Sequence, residues 1–272
     1  MQKKQLSIIS YLTYFLAFLV AIASYFGAFH AFTYERESAS LAAQGVGQDM
    51  VNLFLVVPVL IISMIYMKRN HKTATFIYGG TLFYILYSYL IYSFGIHFNQ
   101  LFLIYCFTLG SSVYLFILFI NYLKPLNILD WFKVGAPVKT IGVYLIVIAL
   151  IFYGLWLKDL IPAILNNTIP ESVSKDQLLI NPVHVIDLSF ALPALIISAI
   201  MLIKKLEHGF IYASILMVFI IILTIALAAM VYMLKVRGIE EDPSIAIIFI
   251  LLAIISSVFL FLFFRWEPAR KE

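Results

Sequence analysis

The stretch 181-NPVHVIDLSFALPALIISAIMLIKK-205 decides how the chain is read. Asn181 is an N-cap residue and Pro182 sits at the first helical position, where its missing N–H costs no hydrogen bond. The apolar run from Val183 to Ile203 then has the length of a membrane-spanning helix, for which about 20 residues suffice. This start places Asp187 more than a turn inside the helix, too deep to act as a cap. A carboxylate at that depth must face a bundle interior or water, because hydrocarbon does not solvate it. The rest of the chain is expected to surround it.

Composition points the same way. Of 272 residues, 64% are hydrophobic and 12% charged, whereas a soluble domain is about half apolar and about a quarter charged. So few polar side chains cannot cover a surface in water, so the bilayer is the solvent and the lipid its first partner. The net charge of +4 is divided between membrane faces and forms no basic stripe, which argues against nucleic acid as a partner. Cys106 is the only cysteine, so the chain forms neither an internal disulfide nor a thiolate metal cluster.

Apolar runs of spanning length fall at about 7–29, 50–67, 75–95, 100–122, 139–157, 183–203, 209–233 and 245–265. They lack period-two alternation, so the expected fold class is an all-α integral membrane protein of eight transmembrane helices, not a β-barrel. Lys3-Lys4 followed by an apolar run and Ala21-Ile22-Ala23 resembles a cleavable signal. Apolar character continues through Phe32, so the run is read as an uncleaved first helix.

Lysine and arginine set the orientation. With the N-terminus in the cytoplasm, thirteen of the eighteen fall on the cytoplasmic side: Lys3, Lys4, Lys68, Arg69, Lys72, Lys124, Lys133, Lys139, Lys204, Lys205, Arg265, Arg270 and Lys271. Ten of the fourteen acids, including Glu240 and Glu241, fall on the other side. Both termini are thus expected to be cytoplasmic. Two outer connections are long. Tyr34 to Gly47 is expected to carry a short surface helix ending at Gly45 or Gly47, and Leu160 to Leu179 to lie along the membrane surface.

The two halves are alike. Pro58-Val-Leu-Ile-Ile-Ser63 matches Pro193-Ala-Leu-Ile-Ile-Ser198, Phe76-Ile-Tyr matches Phe210-Ile-Tyr, and Ser111-Ser-Val-Tyr-Leu-Phe matches Ser256-Ser-Val-Phe-Leu-Phe. Three matches in the same order indicate a duplication: residues 1–123 and 139–272 as two parallel four-helix repeats, joined by a cytoplasmic linker at 124–138. Units with an even helix count point the same way, so their two-fold axis runs along the membrane normal.

Aligned on Pro58 and Pro193, Asp187 falls opposite Asn52 and His184 opposite Asp49. Each helix spaces its pair i, i+3, on one face. Asp49, Asn52, His184 and Asp187, at the outer ends of two helices kinked by interior prolines, are the candidate ligand-binding residues together with Gln48 and Arg36. Gln48 is placed at the same mouth. The structural alternatives are helix capping for Asp49 and, for Asp187, an ion pair with an outer-loop cation such as Arg36. No metal site is assigned: His30, His97 and His184 with the two aspartates would supply nitrogen and oxygen ligands, but no HxxxH or HExxH spacing is present. The third run carries Tyr78, Tyr84, Tyr87, Tyr89 and Tyr92, read as anchors and interhelical hydrogen-bonders, with a stacked wall for an aromatic or lipid ligand as the other reading. Motifs of nucleotide, acyl-transfer and haem chemistry are lacking, and no cofactor is indicated.

Tyr34-Glu-Arg-Glu-Ser, Ala43-Gln-Gly-Val-Gly-Gln-Asp-Met-Val51 and Val185-Ile-Asp-Leu188 together resemble a set of bacterial multi-spanning membrane proteins, with similarity over most of the chain. The resemblance implies a bacterial plasma membrane and carries no chemistry with it. The residues themselves leave three readings: a binding or transport protein for a small solute or ion, a membrane-embedded enzyme using His184 and Asp187 on a lipid or lipid-linked substrate, and a non-catalytic subunit or assembly factor.

Overall fold

The computed structural model describes residues 2–132, 136–239, 242 and 244–264. Among them there is no strand, and eight helices are long and apolar enough to cross a membrane. They are α1 (Gln2–Phe29), α2 (Ala39–Lys68), α3 (Lys72–Gly95), α4 (Phe102–Leu123), α5 (Val138–Leu165), α6 (Pro182–Ile203), α7 (Glu207–Val236) and α8 (Ser244–Phe264). The protein is therefore an all-α, multi-pass membrane protein in contact with lipid. Lys133, Glu240, Glu241, Arg265, Arg270 and Lys271, part of the charge argument, lie outside the described residues. The end of the bundle with the α2–α3 and α6–α7 turns is called the basic face, and the opposite end the acidic face.

Two boundaries differ from expectation. The surface helix expected before Gly47 is continuous with α2, which starts at Ala39 behind an Ser38 cap whose hydroxyl accepts from Leu41 N. Gly45 and Gly47 read as terminators but are packing residues. A methyl group at Gly45 would meet the Tyr34 ring, and one at Gly47 would fall on the α7 backbone at Ala229. Likewise α5 runs past Lys158 and through Pro162 to Leu165 before a short helix at Glu171–Ser174.

Helices α3 and α7 form the buried centre, and α8 is the most exposed. Helix α3 packs between α2 and α4, and α7 between α6 and α8. The acidic-face half of α2 also lies on α7, and the corresponding half of α6 on α3. Nearer the basic face α3 and α7 cross closely, with Gly80 against Ile215 O and Val218. Just beyond, Phe76, Phe210, Phe132 and Phe263 form a ring cluster with centroid separations of 4.9–6.1 Å. The basic-face half of the centre is thus filled by apolar side chains.

Helices α2 and α6 each contain a π-helical turn, at Asn52–Val56 and Asp187–Ala191. Each is followed at the second position by a proline, Pro58 or Pro193. Proline has no N–H to continue the α ladder, and the widened turn absorbs the mismatch through i→i+5 bonds from Val57 N to Asn52 O and from Leu192 N to Asp187 O. These turns begin at Asn52 and Asp187, two of the residues singled out by sequence, and Asp49 and His184 lie three residues before them.

Candidate functional site at the acidic-face ends of α2 and α6

Asp49 precedes Lys68 by nineteen residues and Asp187 precedes Lys204 by seventeen. At about 1.5 Å per residue the two carboxylates lie roughly 28 and 25 Å from the basic face, within the acidic-face side of a hydrocarbon core about 30 Å thick. Both are buried, with 1% and 6% exposure.

Asp49 is held by two phenols. Tyr34 donates to Oδ2, and Tyr92 of α3 donates to Oδ1 at 3.0 Å. Tyr34 reaches the carboxylate from the α1–α2 connection, where its 3-10 turn (Ala31–Tyr34) folds the ring over Gly45. Burial, and then the nearby Asp49 charge, push the Tyr34 phenol well above the ordinary tyrosine range, so it stays a donor. On the α1 side, Gly27 abuts the carboxylate so closely that a Cβ there would overlap Oδ2. Only glycine permits that approach. Ser24, one turn earlier on the same face of α1, and Asn52, one turn later on the same face of α2, also stand beside Asp49. Neither completes a hydrogen bond: Ser24 Oγ and both side-chain amide atoms of Asn52 are buried without a partner.

Asp187 is held differently. Tyr87 of α3 donates to Oδ1 at 2.9 Å, and the indole N–H of Trp156 on α5 donates to Oδ2 at 2.8 Å. His184 is buried against the Trp156 ring, with centroids 4.7 Å apart, and its Nδ1 has no partner. Its side chain does not bond to Asp187, both of whose carboxylate oxygens are occupied by the phenol and the indole.

Asp49, Asn52, His184 and Asp187 therefore make two sites. Asp49 and Asn52 share one, and His184 and Asp187 the other. The same helix serves both: Tyr92 and Tyr87 are five residues apart on α3, which separates them by about 140° around the axis and 7.5 Å along it. Tyr84 lies between, close to both Asp49 and Tyr87, with Ser88 and Gln48 near its hydroxyl. Tyr84 and Ser88 hydroxyls are again buried and unpaired.

Among the described residues no basic side chain is bonded to either carboxylate. Arg36 does not pair with Asp187; its Nη1 donates to Phe98 O at 2.8 Å, tying the α1–α2 connection to the α3–α4 turn. Glu37 reinforces that tie by accepting from His97 N at 2.7 Å, and Ser38 donates to Asp176 in the α5–α6 connection at 2.6 Å. These bonds hold Tyr34 over Asp49 as a cover. A surface depression of about 470 Å³ on this cover, lined by Phe32, Arg36, Phe98, Asn99, Phe102 and Leu103, does not reach either carboxylate. No group of three or more His, Cys, Asp or Glu among the described residues is placed to hold a metal.

Sequence reasoning did not find Tyr34, Trp156, Ser24 or Gly27. Trp156 carried a usable signal: a tryptophan inside an apolar run needs an acceptor for its indole N–H, and Asp187 was an acid in need of donors. Compared with models of known families, with curated proteins and with solved structures, the chain matches none.

Proposed function

We propose that the protein binds, and moves across part of the membrane, a small positively charged solute or ion, protons included, at the two aspartate sites. The observation that carries this reading is that two carboxylates deep in a membrane bundle are each clamped by two neutral donors and, among the described residues, by no cation. Such a group is stable only if it takes a proton or faces a cation that the protein does not supply.

The paired features of the halves support the duplication reading. Both π-turns precede a proline at the same register, and the packing of α2 on α7 is mirrored by that of α6 on α3. In this reading the basic face is cytoplasmic and the sites open outward beneath the Tyr34 cover, in a plasma membrane. The filled crossing at Gly80 closes the route to the basic face, so transport requires α3 and α7 to separate there. The enzyme reading loses support because His184 and Asp187, its general base and orienting partner, are not bonded to one another.

Native mass spectrometry of the protein released from membranes tests the proposal, comparing wild type with Asp187→Asn and Asp49→Asn. A cationic species bound to wild type and lost from either variant supports it. Identical ligand profiles in all three refute it.

A further inference from the structure

We propose that Ser24, Asp49 and Asn52 form a coordination site for one alkali cation, buried between α1 and α2. This rests on the reading of Asp49 as a carboxylate without a protein countercharge, and it names the occupant of that site.

The argument begins with unpaired polar atoms. Asn52 is 1% exposed and Ser24 fully buried, yet Asn52 Oδ1, Asn52 Nδ2 and Ser24 Oγ have no hydrogen-bond partner. Buried polar atoms left in this way are destabilising, and the two oxygens among them, Asn52 Oδ1 and Ser24 Oγ, beside one carboxylate call for an occupant. The π-turn starting at Asn52 sets that residue one turn below Asp49 on the same face. Glycine at position 27 brings α1 against the carboxylate, and Ser24 lies one turn from Gly27 on the same side. Three residues of two helices, Ser24 on α1 and Asp49 and Asn52 on α2, thus stand side by side.

Chemistry then selects the occupant. The available donors are one carboxylate, one amide oxygen and one hydroxyl, a hard, oxygen-only set with a single negative charge. The Asp49 oxygens accept from Tyr34 and Tyr92 and retain lone pairs for a further contact. A divalent ion bound by protein oxygens wants more carboxylates than one, and transition ions want nitrogen or sulfur. The ionisable side chains near Asp49, namely Tyr34, Tyr84, Tyr89, Tyr92 and Tyr105, are phenols and supply no positive charge. A monovalent cation balances the carboxylate and occupies Asn52 Oδ1 and Ser24 Oγ together. The second site has no such set: the Asp187 oxygens meet a phenol and an indole N–H, and indole supplies no lone pair to a cation.

The test is the thermal stability of the purified protein in detergent at constant ionic strength and pH. NaCl or KCl replaces N-methyl-D-glucamine chloride in steps. Wild type should show a saturable rise in Tm with at least one alkali cation, as binding to the folded state requires. Ser24→Ala should need about tenfold more cation for half the shift, the loss of one ligand at about 1.4 kcal/mol. Asn52→Leu should abolish the shift. Ser256→Ala, which removes a buried hydroxyl on α8 remote from the site, should respond as wild type does. A wild-type Tm indifferent to Na+ and K+ overturns the proposal, and then water or a proton occupies the site. An alkali response retained in full by both Ser24→Ala and Asn52→Leu also overturns it. Failure here with a different cationic ligand still lost on Asp49→Asn would leave the broader function intact.

Discussion

Gly27→Ala is the sharpest single test of the Asp49 site. In an ordinary helix this substitution stabilises by about 0.5–1 kcal/mol, because alanine loses less backbone freedom on folding. Here the added Cβ would occupy the position of Asp49 Oδ2. The carboxylate must swing away, or α1 and α2 must part. Swinging away breaks the bond from Tyr34, a 6%-exposed phenol. A lost bond to an ionised group costs roughly 1.5–3 kcal/mol, and a buried hydroxyl left unpaired about 1–3 kcal/mol, overlapping terms that leave a net loss of about 2–4 kcal/mol. Denaturant-titrated unfolding in mixed micelles measures it. The companion variant Asp49→Ala removes the group that the methyl strikes, so the Gly27→Ala penalty should shrink by about 1–3 kcal/mol in the double variant. Gly27→Ala no less stable than wild type, or two effects that simply add, would refute the close approach on which the site depends.

Other consequences follow from the same contacts. Gly47→Ala places a methyl group on the α7 backbone at Ala229 and should destabilise by at least about 1–3 kcal/mol, whereas Gly110→Ala and Gly154→Ala, which meet open space, should gain about 0.5–1 kcal/mol; the same unfolding assay ranks them. Trp156→Phe removes the indole donor to Asp187 and should cost about 1.5–3 kcal/mol if that carboxyl is ionised but only about 0.5–1.5 kcal/mol if it is protonated. Repeating the substitution in an Asp187→Asn background gives the neutral reference, and equal costs in both backgrounds assign a proton to Asp187 rather than an ion. Tyr34 is held well above the ordinary tyrosine range by burial and by Asp49, so its contribution is complete below the unfolded value of about 10 and fades as pH rises above it. Tyr34→Phe should therefore flatten the alkaline limb of a Tm–pH curve; an unchanged limb would place the phenol in water.

The helix count and the depth of Asp187 were legible because both follow from spacing. An apolar run of spanning length and a cap at Asn181 leave little freedom. The start of α2 was not legible, since Gly45 and Gly47 look alike whether they end a helix or let a ring and a backbone approach. Pro58 and Pro193 announced irregular helices, but the choice of π-turns over kinks depends on packing that no local pattern records. The partners of the two acids were hidden for a related reason. Tyr34 and Trp156 lie 15 and 31 residues from the carboxylates they meet, in segments that read as a loop and an apolar span. An ion pair of Asp187 with Arg36, the structural alternative that charge alone suggested, is not formed: Arg36 donates to the carbonyl of Phe98 instead.

The central claim is that Asp49 and Asp187 take their countercharge from outside the protein. Its most direct test is the Asp49→Asn, Asp187→Asn double variant, which keeps the side-chain shape and one acceptor oxygen per site, puts an amide donor against a phenol in place of the other, and removes both charges. Binding of cationic species, protons included, is measured by native mass spectrometry and by proton release on unfolding at fixed pH. The account predicts a folded double variant that has lost the bound cation or the released protons seen with wild type. A double variant that keeps the wild-type count of both would contradict it.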